Sequence, residues 1–104
     1  MNRKELVNRL RILVKRVVPN SQAILYGSEA RGESDGQSDI DVLILVDKET
    51  VSPKEEDAIT APLYDLEIET GTIISPIVMT LKDWDAAKRK TMLYHNIMKD
   101  GVVL

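Results

Sequence analysis

The sequence predicts an α/β (α+β) fold, a small mixed β-sheet with helices packed against it. Three observations predict it. Leu6, Leu10, Leu13, Val14 and Val17 recur at helical spacing. The run Asp39-Ile40-Asp41-Val42-Leu43-Ile44-Leu45-Val46 reads as a strand whose second half is apolar on both faces. A capped helix signal at Ser52-Pro53-Lys54-Glu55 follows it and is itself followed by a second β-rich stretch at 72–79. Helices and strands that alternate in this way assemble as layers around one sheet.

The elements follow in order. Residues 3–18 read as an amphipathic helix, with Asn2 as its N-cap and Pro19-Asn20 as its stop. Gln22 to Tyr26 forms a short strand ending at Gly27. Residues 28–32 make a brief helical turn, and Glu33 to Ser38 is a polar, Gly-containing loop. Residues 39–46 are the clearest strand. Their second half is apolar on both faces, so this strand belongs at the centre of the sheet.

At Ser52 the side chain can cap, Pro53 sits at the first helical position, and Glu55 can return a hydrogen bond. That helix runs to about Thr70 and stops at Gly71, with a kink expected near Ala58 to Ala61 from Pro62. Pro76 places the strand at 72–79 on an edge or at a bulge. A last helical stretch starts at Thr80, is broken near Thr91 and ends at Gly101, leaving Val102-Val103-Leu104 as a small terminal strand.

Bulk properties narrow the function. A chain of 104 residues reads as a single domain over 1–104. No Cys is present, which excludes disulfides and thiolate metal sites. No apolar run approaches the roughly 18 residues of a membrane helix, and the N-terminal residues lead into an amphipathic pattern, so the reading is a cytoplasmic protein. The formal net charge of −3 argues against broad nucleic-acid binding. Arg3, Lys4, Arg9, Arg11, Lys15 and Arg16 nevertheless crowd the first helix, opposed by Glu5 alone. A solvated helix face accounts for them; a docking surface for an acidic partner or a polynucleotide is the alternative. Trp84 and Tyr94 read as packing a helix onto the sheet, with stacking on a base as the alternative, and the single His95 reads as a surface or half-buried residue, since no second His or Cys accompanies it to make a zinc site.

Chemistry concentrates in Gly27-Ser28-Glu29-Ala30-Arg31-Gly32 and Ser38-Asp39-Ile40-Asp41-Val42. Successive strand side chains point to opposite faces, so Asp39 and Asp41 share one face about 7 Å apart. Two carboxylates so placed can jointly hold Mg²⁺. A Gly-Ser turn opening a short helical segment can hold phosphate against backbone N–H groups. Gly27 allows close approach of the backbone, and Ser28 offers N–H and hydroxyl donors. Arg31 can meet a phosphate oxygen or brace the turn with an acid such as Asp39. These features together suggest a magnesium–nucleotide site. Ser28 is no hydrolase nucleophile, because no Gly-x-Ser-x-Gly elbow surrounds it.

Gly27-Ser28, ten intervening residues and Asp39-Ile40-Asp41-Val42 resemble the signature of the DNA polymerase β-like nucleotidyltransferase superfamily. Gly-Ser-Glu-Ala-Arg-Gly with Ser-Asp-Ile-Asp-Val-Leu-Ile looks like its minimal prokaryotic members. The motif covers residues 24–46, and length and element order extend the similarity less specifically over most of the chain. The resemblance implies Mg²⁺-dependent transfer of a nucleoside monophosphate, AMP from ATP or its counterpart from another triphosphate, to an acceptor hydroxyl. It also implies a small helical partner of the HEPN type, which some minimal members, acting as antitoxins, adenylylate.

One departure stands out. Active members use a third carboxylate on the next core strand, and here Ser75 occupies that slot, flanked by Ile74 and Pro76. Glu67 or Glu69, at the end of the second long helix, is the replacement acid under an active reading. Under the other reading the nucleotide pocket survives and the chain serves as a catalytically weak partner subunit.

Overall fold

The computed structural model describes residues 2–33, 35, 38–87 and 90–104. The elements are α1 (Arg3–Val17), β1 (Ser21–Tyr26), β2 (Ile40–Val46), α2 (Pro53–Thr70), β3 (Ile74–Thr80), α3 (Leu81–Ala86), α4 (Met92–Asp100) and β4 (Val102–Val103). The caps form as the sequence predicts. The Asn2 side chain accepts from the Glu5 N–H at 2.8 Å, and Ser52 and Glu55 complete a reciprocal capping box. Gly71 closes α2 in the left-handed conformation at φ 76°. α2 continues through Pro62 without a break. The interruption expected near Thr91 separates α3 from α4, with Thr91 capping the latter. Part of the loop expected over Glu33 to Ser38 lies outside the described residues.

Three strand starts differ from the sequence reading; β1 opens at Ser21, one residue ahead of Gln22. The acidic strand joins the ladder at Ile40, whose N–H donates to the Ile73 carbonyl at 2.9 Å, so Asp39 stands just ahead of it. β3 begins at Ile74 rather than at 72, because the Thr72 N–H turns back to the Thr70 hydroxyl at 3.3 Å.

The sheet order is β3-β2-β1-β4. β1 runs antiparallel to β2 and β4, and β2 runs parallel to β3 through the α2 crossover. β2 is central, and Pro76 lies on the edge strand β3, where a missing donor is tolerated. Strand alternation sorts the core into two layers. Ala23, Leu25, Val42 and Ile44 face Leu6, Leu10 and Val14 of α1 and Leu63 and Leu66 of α2. On the other side Leu43 and Leu45 pack with Ile24, Tyr26 and Ile77 against Trp84 of α3 and Ile97 of α4. The Trp84 and Tyr94 rings meet with centroids 4.6 Å apart, which gives both the packing role expected of them. Asp41 therefore emerges on the α3–α4 side, at the end of the sheet where β1 finishes and β2 begins.

Candidate active site

Register assembles the site. Asp41 pairs with Tyr26 on one side and with Ser75 on the other, and residues opposed in register share a face. The turn after β1 returns directly over this point. A Cβ built on Gly27 would lie 2.5 Å from Asp41 Oδ2, and Gly27 has φ +76°. The Gly-Ser turn and the strand carboxylate are thus in contact, and only glycine fits between them.

The turn holds its own shape. The Arg31 N–H donates to the Gly27 carbonyl at 3.2 Å, and the Glu33 N–H to the Ser28 carbonyl at 2.9 Å. The N–H groups of Ser28, Glu29 and Ala30 find no carbonyl, and the Ser28 hydroxyl no partner, among the described residues. Ser38 steadies the approach to Asp39, accepting from the Asp35 N–H at 3.1 Å and donating to Asp35 Oδ1 at 3.2 Å. Gly32 also has positive φ but nothing within 4 Å, so it serves the turn alone.

Electrostatics set the acid pair apart. The Asp41 carboxyl is pushed above its ordinary range, first by burial and then by the charge of Asp39. The Tyr26 phenol is raised as well, by burial and by the charge of Asp41. Asp41 has no hydrogen-bond or ion-pair partner among the described residues. Two hard carboxylates left without a cation are a suitable donor set for Mg²⁺, which takes one or two protein carboxylates and fills its shell with water and phosphate oxygens.

The remaining candidates sit elsewhere. Arg31 braces the turn, but with Glu33 at 3.0 Å and Asp100 of α4 at 3.9 Å rather than with Asp39. Glu67 accepts the Ile74 N–H at 2.8 Å, satisfying a donor at the start of the edge strand. Glu69 forms a two-point pair with Arg9 on the exposed α1–α2 surface, at 3.0 and 2.9 Å, and the bonds to Arg9 lower its pKa. No cluster of three or more His, Cys, Asp or Glu side chains suited to a metal forms among the described residues. Ser75 lies opposite Asp41.

One functional contact is not legible in the sequence. Glu29, inside the turn, accepts Arg3 Nε at 3.1 Å and Nη2 at 2.9 Å across 26 positions. Its side chain is only 9% exposed, against 22% for Arg3. The first turn of α1 is thereby bolted to the Gly-Ser turn. Arg3 Nη1 is buried with no partner, so losing the carboxylate leaves a desolvated cation. Glu29→Gln is expected to cost about 2 kcal/mol, less than a fully buried pair because Arg3 keeps some solvent, and to lower the melting temperature by roughly 10 °C. Glu69→Gln breaks an exposed, solvent-screened pair and should shift the melting temperature far less. Thermal melts of the two variants side by side check this.

Comparison with known proteins agrees with the geometry. The nucleotidyltransferase domain family matches residues 4–101. The chain belongs to that family. A relative from Methanocaldococcus jannaschii, provisionally named a protein adenylyltransferase, is 44% identical over 57 residues, covering 55% of this chain and 57% of that relative. The chain thus spans little more than half of the curated relative it matches. A crystal structure of a nucleotidyltransferase, so named provisionally, from Sulfolobus solfataricus superposes with a TM-score of 0.62 at 20% identity over 95% of this chain and 76% of that one. A toxin–antitoxin complex crystallised with AMP-PNP superposes at 0.63 and 18% identity over 92% of this chain and 69% of that one. At such identities the likeness establishes the fold, the small mixed sheet of polymerase β-like nucleotidyltransferases.

Proposed function

We propose that this nucleotidyltransferase moves AMP from ATP to a hydroxyl group on a partner protein, with Mg²⁺ held by Asp39 and Asp41. The observation that carries the reading is the close approach of Gly27 to the Asp41 carboxylate, which puts the Gly-Ser turn beside a strand acid. The name of the Methanocaldococcus relative supports AMP as the transferred group.

In this reading Gly27 lets the triphosphate approach the backbone, and Ser28 supplies donors to it. Arg31, held by Glu33 and Asp100, keeps the turn in shape. The acceptor hydroxyl oxygen bonds to the α-phosphorus, the bond from that phosphorus to the oxygen bridging to the β-phosphate breaks, pyrophosphate leaves with that oxygen, and the hydroxyl proton passes to water. Positioning and neutralisation of charge provide most of the acceleration. Mg²⁺, when bound, neutralises phosphate charge and orients the triphosphate.

Ser75 favours a second reading. A neutral hydroxyl is a poor proton acceptor at the position where family members place a third acid. The chain then acts as a nucleotide-binding antitoxin subunit that restrains a HEPN-type partner, with slow turnover or none. The toxin–antitoxin neighbours are compatible with either role. Both readings place the protein in the cytoplasm; no helix among the described residues is long and apolar enough to cross a membrane.

Radiolabelled ATP with Mg²⁺, offered to the chain alone and with the product of its neighbouring gene, separates the readings. Transfer that falls by a factor of ~10³ or more in Asp39→Asn/Asp41→Asn supports the enzyme, since that variant removes both proposed ligands of the metal. Absence of transfer, with a complex that survives the same substitutions, supports the restraining subunit.

A further inference from the structure

The outer surface of the α1–α2 layer carries two stripes that neither the core nor the acid pair uses. On α1, Lys4, Asn8, Arg11 and Lys15 recur at i, i+4, i+7 and i+11, one face of a helix. None of the three cations meets an acid among the described residues; Arg11 bonds only the neutral Asn8 side chain, at 3.0 Å. They overlook two adjoining hollows that share Arg11. One, of about 470 Å³, is lined by Val7 and Leu25 and also by Glu5 and Glu29. The other, of about 190 Å³, is lined by Val14, Ala23 and Leu104 among others. The exposed apolar surface at this end of the sheet is on β4, where Val102, paired with Leu25, is 47% exposed, while Ala23, Leu25 and Val14 at the floor of the hollows are buried.

On α2, Asp57, Ala61, Tyr64 and Ile68 recur at the same spacing and point away from the core residues Leu63 and Leu66. Tyr64 is 45% exposed and Ile68 80%. Glu56, Asp57 and Asp65 supply acids along this helix, all exposed and without a cation among the described residues. One stripe is basic above an apolar floor, and the other is apolar with acidic edges.

We infer that two copies of this chain pack face to face through this helical layer, the outer stripe of α2 in each copy lying along the Lys4–Lys15 side of α1 in the other. Topology permits it with closed symmetry. Across the sheet the layer runs from α2 over β3, to α1 over β1, to the exposed strip at β4. A twofold axis parallel to the helices turns the second copy over and sets its α2 above the exposed strip of the first, and the reverse contact forms at the same time. Ile68 and Tyr64 then fill the hollows, and the acids of α2 meet Lys4, Arg11 and Lys15. Asp39 and Asp41 are on the opposite side of the sheet and stay open. The inference does not depend on the transfer chemistry.

Sedimentation velocity across a concentration series, at low and high salt, tests the pairing. A concentration-dependent dimer that weakens with salt is expected. Lys4→Glu/Lys15→Glu and Asp57→Lys/Asp65→Lys should each weaken it by about tenfold or more, and combining the two sets in one chain should restore it. Matched circular-dichroism melts separate loss of pairing from loss of fold. Ile68→Ser, at an 80% exposed position, disrupts the contact without altering charge and should also give monomer. A monomer under every condition overturns the inference, as does a dimer indifferent to all three changes or a combined variant that stays monomeric. It also fails if an acidic helical peptide or a poly(U) oligonucleotide binds the Lys4–Lys15 stripe of a chain that does not self-associate.

Discussion

Gly27→Ala should remove nucleotide binding and transfer while leaving most of the fold intact. Two costs coincide at this position. The backbone has φ +76°, which costs an L-residue roughly 1–2 kcal/mol. The new methyl would also lie 2.5 Å from Asp41 Oδ2. β2 is central and fully paired on both sides, so its backbone does not yield. The cheaper relief is rotation of the Asp41 carboxylate, and that withdraws it from the turn. Misplacing a catalytic group by an ångström costs on the order of 10²-fold in rate. Gly32→Ala is the matched control. It has φ +71° with nothing within 4 Å, so it bears the backbone cost alone. The two variants should melt within a few degrees of each other, a kcal/mol being roughly 4–8 °C in a domain of this size. Only Gly27→Ala should lose ATP binding by titration calorimetry. Equal losses in both would mean that the turn's shape, not its contact with Asp41, governs the site.

The elements legible in the sequence are those set by local chemistry. The caps at Asn2 and Ser52, the stop at Gly71 and the break at Thr91 each depend on a few neighbouring residues. The central place of β2 was readable because its second half is apolar on both faces. The sequence reading put a pocket between the Gly27-Ser28 turn and the start of the acidic strand; the approach of Gly27 to Asp41 and the pairing of Ser75 with Asp41 come from the strand register and the turn's path. What could not be read are side-chain partners chosen by tertiary packing. Arg31 found Asp100 near the other end of the chain, and Glu29 found Arg3. Glu67 satisfies a strand donor because β3 starts where the α2 crossover delivers it, and nothing in the local pattern around Glu67 reports that. An acid on a helix end looks the same in sequence whether it meets a metal, a backbone N–H or water.

Asp41→Asn should make the metal-free protein more stable even as it abolishes transfer. Asp41 is half-buried beside Asp39 and unpartnered among the described residues, and its carboxyl lies above the ordinary 3.8. The sign follows by linkage. Between 3.8 and the raised folded value, the native state keeps a proton that the unfolded chain has released. Stability associated with this group is therefore greatest below 3.8, declines as pH rises through the folded value, and reaches its full cost at neutral pH. Asparagine keeps the shape and removes the charge, so the gain should be largest at neutral pH and vanish toward pH 4, each kcal/mol recovered raising the melting temperature by roughly 4–8 °C. Mg²⁺ should act in the opposite sense. A cation held by the acid pair stabilises the wild type by about 1.4 kcal/mol at ten times its dissociation constant, and the variant far less. Melting curves at several pH values, with and without Mg²⁺, read both effects. A stability that Asp41→Asn leaves unchanged at every pH, with Mg²⁺ raising both proteins equally, would mean that the acids at the start of β2 face water rather than a cation.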